Sequence, residues 1–271
     1  MTKIISVHSY RGGTGKSNLV ANLATLLVLQ GKRVALIDTD IQSPGIHLLF
    51  GLDESEIDYT LNDYLWGKCP LVKTAYDVSH ILNEQSQSPE AKVKEGSIYL
   101  VPSSMKAEEI ATVLSEGYDV ELLHQGFLEL SDRLKLDYLF VDTHPGISEE
   151  ALLAIGISDL TLVILRPDRQ DYQGTAVVLD VAKQLEVSRL LLVANKVLPE
   201  VNGDALTKKI EKIYQVPVAG VLPVSNEMFR LASQGIFCLH YPNSSFTQKL
   251  NEIASEIGLV LPQALKDCAT S

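Results

Sequence analysis

His8-Ser9-Tyr10-Arg11-Gly12-Gly13-Thr14-Gly15-Lys16-Ser17 stands between an apolar run, Ile4-Ile5-Ser6-Val7, and a helical pattern from Asn18 to Gln30. A strand, a glycine turn and then Gly-Lys-Ser opening a helix is the local context that a phosphate-binding loop requires. The glycines let successive backbone N–H groups turn inward around an anion. The helix N-terminus adds unpaired donors and the positive end of its dipole. In such a loop Lys16 reaches the β- and γ-phosphates and the Ser17 hydroxyl joins Mg²⁺. Gly12, Gly13, Thr14, Gly15 and Asn18 complete the cradle, and the expected chemistry is that of a nucleoside triphosphatase.

The rest of the chain is sized for such a domain. Its 271 residues suit one large α/β domain, and 46% of them are hydrophobic, with no low-complexity tract. We expect a single domain over residues 1–262 and a short tail over 263–271. The net charge of −11 argues against nucleic acid binding over the whole surface, though not against a local basic patch. Cys69, Cys238 and Cys268 are odd in number and far apart, so they form neither a disulfide framework nor metal-ligand spacing. Met1 runs directly into the first strand pattern, which reads as no signal peptide, and no apolar run reaches the ~18–20 residues of a membrane span. The expected location is the cytoplasm.

Short apolar runs recur between longer helical patterns: Lys3–Ser9, Arg33–Asp38, Ser97–Pro102, Tyr138–Asp142, Leu160–Leu165, Leu190–Asn195 and Val216–Leu222. Most are apolar throughout rather than alternating, as strands covered on both faces are. The intervening segments are long enough for crossover helices. The expected fold is α/β, a doubly wound, mainly parallel sheet of about seven to eight strands with helices on both faces. Helix one, Lys16 to Gln30, should stop at Gly31. Ser43 to Tyr76 reads as short helices, with Tyr64 and Trp66 as core or, as the alternative, an interaction surface, and Gln85 to Gly96 as a solvated loop. Glu108 to Leu134 reads as two helices broken at Gly117.

Active sites in such sheets lie at the carboxyl ends of the strands. The second strand ends in Asp38-Thr39-Asp40, and two carboxylates at i and i+2 on a strand share a side. Beside a phosphate loop, Asp38 can hold Mg²⁺ through water and Asp40 can orient or deprotonate an attacking water. The competing reading is that one of them caps the next helix. The fourth run ends in Asp142-Thr143-His144-Pro145-Gly146, an apolar strand closing on a carboxylate suited to the Mg²⁺ shell. Gly146 would let the backbone approach a γ-phosphate. His144 reads either as part of the water network or, more simply, as a hydrogen-bonded loop histidine.

These motifs, in this chain order, resemble the ParA/MinD family of deviant Walker A ATPases. The family's loop reads K-G-G-x-G-K-[ST]. Here Tyr10 replaces the first glycine of the commoner G-x-x-x-x-G-K-[ST] pattern, and Arg11 stands where the family has its signature lysine. The resemblance implies ATP and Mg²⁺ as ligands and an ATP-dependent homodimer in which residue 11 crosses to the partner's nucleotide. An arginine keeps that charge with different geometry. Asp38 and Asp40 match the family's first switch, and Asp142 to Gly146 its second. Asn195 resembles its base-binding asparagine, with Pro223 as the other wall. Leu198 stands where Asn-Lys-x-Asp guanine sites carry a carboxylate, so ATP is favoured over GTP.

The resemblance further implies slow hydrolysis stimulated by an adaptor protein and a role in positioning DNA, division machinery or a protein microcompartment. Lys208, Lys209 and Lys212 form the densest basic cluster, a candidate for non-specific DNA and nucleoid association, with Lys183, Arg189 and Arg230 as candidates to join it in three dimensions; a solvated helix face is the alternative. In the final helix Phe246, Leu250, Ile253, Ala254 and Ile257 make one apolar stripe that reads as core rather than membrane anchor. The tail after Pro262 lacks the signs of a MinD-like membrane helix. Iron–sulfur carriers of this fold need paired cysteines, which the chain lacks. An ATP-binding signalling or scaffold module with little hydrolysis, and a MinD-like membrane-associated regulator, are the alternatives.

Overall fold

A computed structural model describes residues 1–87 and 92–258. Part of the Gln85–Gly96 loop, the tail over 263–271 and Cys268 therefore lie outside the described residues. The sheet has eight strands: β1 (Lys3–His8), β2 (Arg33–Thr39), β3 (Tyr76–Asp77), β4 (Ser97–Val101), β5 (Tyr138–Thr143), β6 (Leu160–Leu165), β7 (Leu190–Val197) and β8 (Val218–Pro223). Their spatial order is β3-β4-β2-β5-β1-β6-β7-β8. Every pairing is parallel except β3 with β4.

The apolar runs are continuous because alternate residues feed two different cores. Ile5, Val7, Leu36 and Phe140 pack on one face, with the helices Lys16–Val28 and Ser245–Glu256. Ile4, Ala35, Ile37, Leu139 and Val141 pack on the other, with the helix Glu121–Leu134. Val163, Leu165, Leu192 and Ala194 continue that second face beneath the helices Arg169–Gln184 and Gly203–Tyr214. With apolar demand on both faces, the period-two pattern of a half-exposed strand disappears.

The helix Lys16–Val28 is buried almost all round, and Leu23 and Leu27 are fully enclosed. Truncating either to alanine would cost about 2–5 kcal/mol. That packing fixes the helix axis, and so fixes where its N-terminus points. The helix ends short of the expected Gln30, and Gly31 takes the left-handed backbone (φ 81°) that lets the chain turn into β2.

β3 replaces the end of a stretch expected to be helical. Tyr76 pairs with Leu100 and Asp77 with Tyr99 at the sheet edge. Two residues carry no periodicity, so only the partner strand reveals it. The rest of Ser43 to Tyr76 does form short helices, including Ile46–Phe50 and Leu61–Leu65. Tyr64 and Trp66 pack, half-buried, against the second core. The break at Gly117 (φ 69°) separates Ala107–Glu116 from Glu121–Leu134. All five residues of the Phe246–Ile257 stripe are buried in the first core. Among the described residues, no helix is long and apolar enough to cross a membrane.

Candidate nucleotide site

β1 lies between β5 and β6, where successive crossovers leave in opposite directions. That geometry opens a crevice at the carboxyl ends of the strands, and the loop from Ser9 to Gly15 occupies it. Gly13 (φ 73°) and Gly15 (φ 99°) hold the loop in left-handed backbone. Two consecutive residues at the end of β7 clamp it: the Asn195 side-chain amide donates to the Thr14 carbonyl at 2.7 Å, and Lys196 Nζ donates to the Gly13 carbonyl at 2.7 Å. In a trans peptide the carbonyl and the next N–H point opposite ways. The clamp therefore aims the Thr14 and Gly15 N–H groups away from β7. A Cβ on Gly15 would stand 2.5 Å from the Asn195 amide nitrogen, so the approach requires glycine.

Lys16 is 6% exposed, and its Nζ donates to Ser9 Oγ at 3.2 Å. Burial lowers its pKa, while the nearby Asp142, Asp40 and Asp38 pull it back up. The register of β2 on β5 explains that grouping, because Asp38 sits opposite Asp142 and Thr39 opposite Thr143. Both aspartates are buried. Asp38 accepts from the backbone N–H of Asp40 at 3.0 Å and of Gly45 at 3.2 Å. The shared side expected for Asp38 and Asp40 rested on strand alternation, which stops at Thr39. Beyond it the chain turns, and the Asp40 amide bonds back to the Asp38 carboxylate.

Burial pushes the Asp142 carboxyl up to about 6, against the pull of the Ser17 hydroxyl and of Lys16. Its Oδ1 is buried without a hydrogen-bond partner. Burial, then Asp142 and Asp40, raise Asp38 well above the carboxylate range. Two buried carboxylates, one with an orphaned oxygen, beside a serine hydroxyl at a helix N-terminus form a donor set for a hard divalent cation. Among the described residues no cluster of three His, Cys, Asp or Glu side chains makes a ready cation cage. The set therefore fits Mg²⁺ delivered with phosphates, which supply the remaining oxygens.

Behind the carboxylates, the Thr143 hydroxyl donates to the Val7 carbonyl at 3.0 Å. Its hydrogen is thus committed, and His8 Nδ1, 2.7 Å away, must donate to Thr143 Oγ1. Burial, reinforced by Lys16, drives the His8 pKa down to about 3, so the ring is neutral. In front, His144 Nδ1 lies 2.6 Å from Asp40 Oδ1. His144 is thus a hydrogen-bonded loop histidine whose partner is Asp40.

A cavity of about 140 Å³ opens beside the loop, lined by Gly15, Asn18, Asn195, Lys196, Pro223 and Phe246 among others. It brings Asn195 and Pro223 together as two of its walls and is sized for a flat ring system. The sequence reading missed Lys196 as a functional residue. Its position next to Asn195, in an Asn-Lys pair already compared with guanine sites, was the available signal.

Arg11 lies on the outer side of the loop, 3.9 Å from Asp168 Oδ1 and 3.8 Å from Asp171 Oδ1 of its own chain. Tyr10 packs on the same helix, and a Cβ on Gly174 would clash with its ring. Lys208, Lys209 and Lys212 are all exposed on Gly203–Tyr214, and Lys209 lies over the Tyr172 ring at 5.5 Å. Arg189 donates to the Glu256 and Ile257 carbonyls, so it is already engaged elsewhere.

A family model described as ParA, NUBPL iron-transfer P-loop NTPase, matches residues 1–258. An uncharacterised ATP-binding protein of Methanocaldococcus jannaschii is 28% identical over 258 residues, covering 95% of this chain and 88% of the relative. The septum site-determining protein MinD of Synechocystis is 25% identical over 238 residues, covering 87% of this chain and 81% of that protein. Among solved structures, the septum site-determining protein MinD of Pyrococcus horikoshii complexed with Mg-ADP superposes with a TM-score of 0.75 at 22% identity, covering 95% of this chain and 96% of that one.

Proposed function

The chain belongs to the ParA family of P-loop NTPases, and from that premise we propose that it is an ATP-binding, slowly hydrolysing dimerisation switch that positions a cargo inside the cell. The observation that carries this reading is the convergence of Lys16, Ser17, Asp38, Asp40 and Asp142 at the ends of three neighbouring strands. Backbone N–H groups of the loop and Lys16 bind the triphosphate. Ser17, Asp38 and Asp142 are the residues that would hold Mg²⁺, which neutralises charge on the phosphate oxygens. Asp40 orients the attacking water and accepts its proton. Asn195, Lys196 and Pro223 wall the adenine. Leu198 supplies no carboxylate to select guanine.

Iron transfer, named in the family model's description, needs cysteines in pairs. Cys69, Cys238 and Cys268 are far apart along the chain, and of the two described, Cys238 is buried with its thiol pushed up to about 12. The names of the relatives support positioning instead. The cargo is DNA, division machinery or a protein microcompartment, and an adaptor stimulates turnover. DNA contact falls to Lys208, Lys209 and Lys212; replacing all three should weaken ATP-dependent DNA retention and flatten its salt dependence. Unchanged retention discards the patch.

The test of the switch is sizing of Asp40→Ala with and without Mg-ATP. A dimer appearing with nucleotide supports it, and a nucleotide-loaded monomer sinks it. A second reading, an ATP-binding scaffold with little hydrolysis, draws on the pairing of Arg11 with Asp168 and Asp171 of its own chain. Turnover that stays negligible with DNA and an adaptor present would favour it.

A further inference from the structure

Asp40 lies just beyond β2, on a turn rather than in the ladder, so the strand does not fix its side chain. Its Oδ1 receives the Ser43 N–H at 3.2 Å and His144 Nδ1 at 2.6 Å. The side chains of His144 and Asp40 are 21% and 16% exposed, so this short bond is partly shielded from water. A carboxylate accepts only, so Nδ1 carries the hydrogen. Both bonds fall on the same oxygen, which leaves Oδ2 for a water.

The histidine is itself tied to the phosphate loop. Two residues on, the Gly146 N–H donates to the Ser9 carbonyl at 3.0 Å, and Ser9 Oγ accepts from Lys16. A connected path therefore runs from Lys16 through Ser9, Gly146 and His144 to Asp40. His144 also lines a cavity of about 170 Å³, together with Thr39, Gln42, Val113 and Glu150 among others.

We propose that His144 is a positioning residue for hydrolysis: its Nδ1–H holds the Asp40 carboxylate in its working orientation and couples the loop after β2 to the loop after β5. This rests on the reading of Asp40 as the group that holds the attacking water. Movement of Gly146 on arrival of a γ-phosphate is then passed to Asp40 through two intervening peptides.

The test compares steady-state turnover of the full chain with His144→Ala and His144→Asn. Alanine removes the donor, and kcat should fall about 10–100-fold, the usual cost of a misplaced reacting group, with KM for ATP nearly unchanged. Asparagine places an amide N–H near the Nδ1 position and should restore most of kcat. His144→Ala added to Asp40→Ala should cost nothing further. A structural role alone would not distinguish asparagine from alanine. Independently of activity, ¹⁵N-histidine NMR should show a protected Nδ1–H for His144 that disappears in Asp40→Ala, while the His8 Nδ1–H bonded to Thr143 persists as the internal control.

An active enzyme in which His144→Ala turns over like wild type, or His144→Asn fails like alanine, overturns the proposal. So does an Nδ1–H signal indifferent to Asp40→Ala. A wild-type protein that binds ATP but turns over no faster than Asp40→Ala overturns the underlying ATPase reading instead, which keeps the two failures distinguishable.

Discussion

Asp38 faces Asp142 across the β2–β5 ladder, one residue pair before both strands end, and both carboxylates are buried. Two buried acids side by side are unfavourable for an empty fold and useful for one that receives a cation. The pair therefore sets stability and ligand binding against each other.

With its carboxyl raised by burial to about 6, Asp142 binds a proton in the native state at pH values where the unfolded chain has released it. Its contribution to stability is present in acid and is lost as pH rises from about 4 through about 6. Asp142→Asn removes that loss. We expect the nucleotide-free protein to gain about 3 kcal/mol of unfolding free energy at pH 7.5, while stabilisation by Mg-ATP falls away. Urea unfolding with and without Mg-ATP measures both effects, and a destabilised, still Mg-responsive variant would contradict the assignment.

His8 acts in the opposite direction over an overlapping range. Burial lowers its pKa from 6.5 to about 3, so the unfolded chain takes up a proton that the native ring refuses. Stability is retained above pH 6.5 and is lost as pH falls from there toward 3. At pH 5 that loss is about 2 kcal/mol. In His8→Asn the difference in unfolding free energy between pH 7 and pH 5 should shrink by about that amount. An unchanged difference would show that another group carries the acid sensitivity.

The clamp from β7 makes a prediction about the loop. Lys196→Ala removes one bond to a loop carbonyl, worth about 1 kcal/mol, and should weaken nucleotide binding about fivefold to tenfold. Gly15→Ala puts a methyl group against Asn195 and strains a positive φ, so it should abolish binding. Titration with a fluorescent ATP analogue reads both. Equal affinities for Lys196→Ala and wild type would mean that the loop holds its shape unaided.

Arg11 and Asp168 are 40% and 44% exposed, and the ion pairs of Arg11 are long. The exposed pair with Asp168 contributes at most about 1 kcal/mol; Asp171 is only 2% exposed, but it keeps its bonds from the Arg166 backbone N–H and Nε, so releasing the guanidinium toward a partner is inexpensive. Arg11→Ala should therefore keep its affinity for ATP and lose the ATP-dependent dimer. Light scattering in Mg-ATP decides; an intact dimer would assign Arg11 to its own chain alone.

Seven of the eight strands, the order of the motifs and the phosphate loop could all be read in the chain. They depend on local patterns: continuous apolar runs for strands covered on both faces, glycines where φ is positive, and a lysine and serine at a helix start. β3 could not be read, since two residues at an edge take their form from β4. Nor could the bonds of His144 to Asp40, Asn195 to Thr14 and Lys196 to Gly13, or the proximity of Arg11 to Asp168 and Asp171. Each joins residues that lie on different elements. The sequence by itself determined the type of fold and the kinds of side chain at its strand ends, because propensity and burial act on neighbours along the chain. Only the tertiary structure decided which of those side chains touch, because strand order and register bring together groups a hundred or more residues apart.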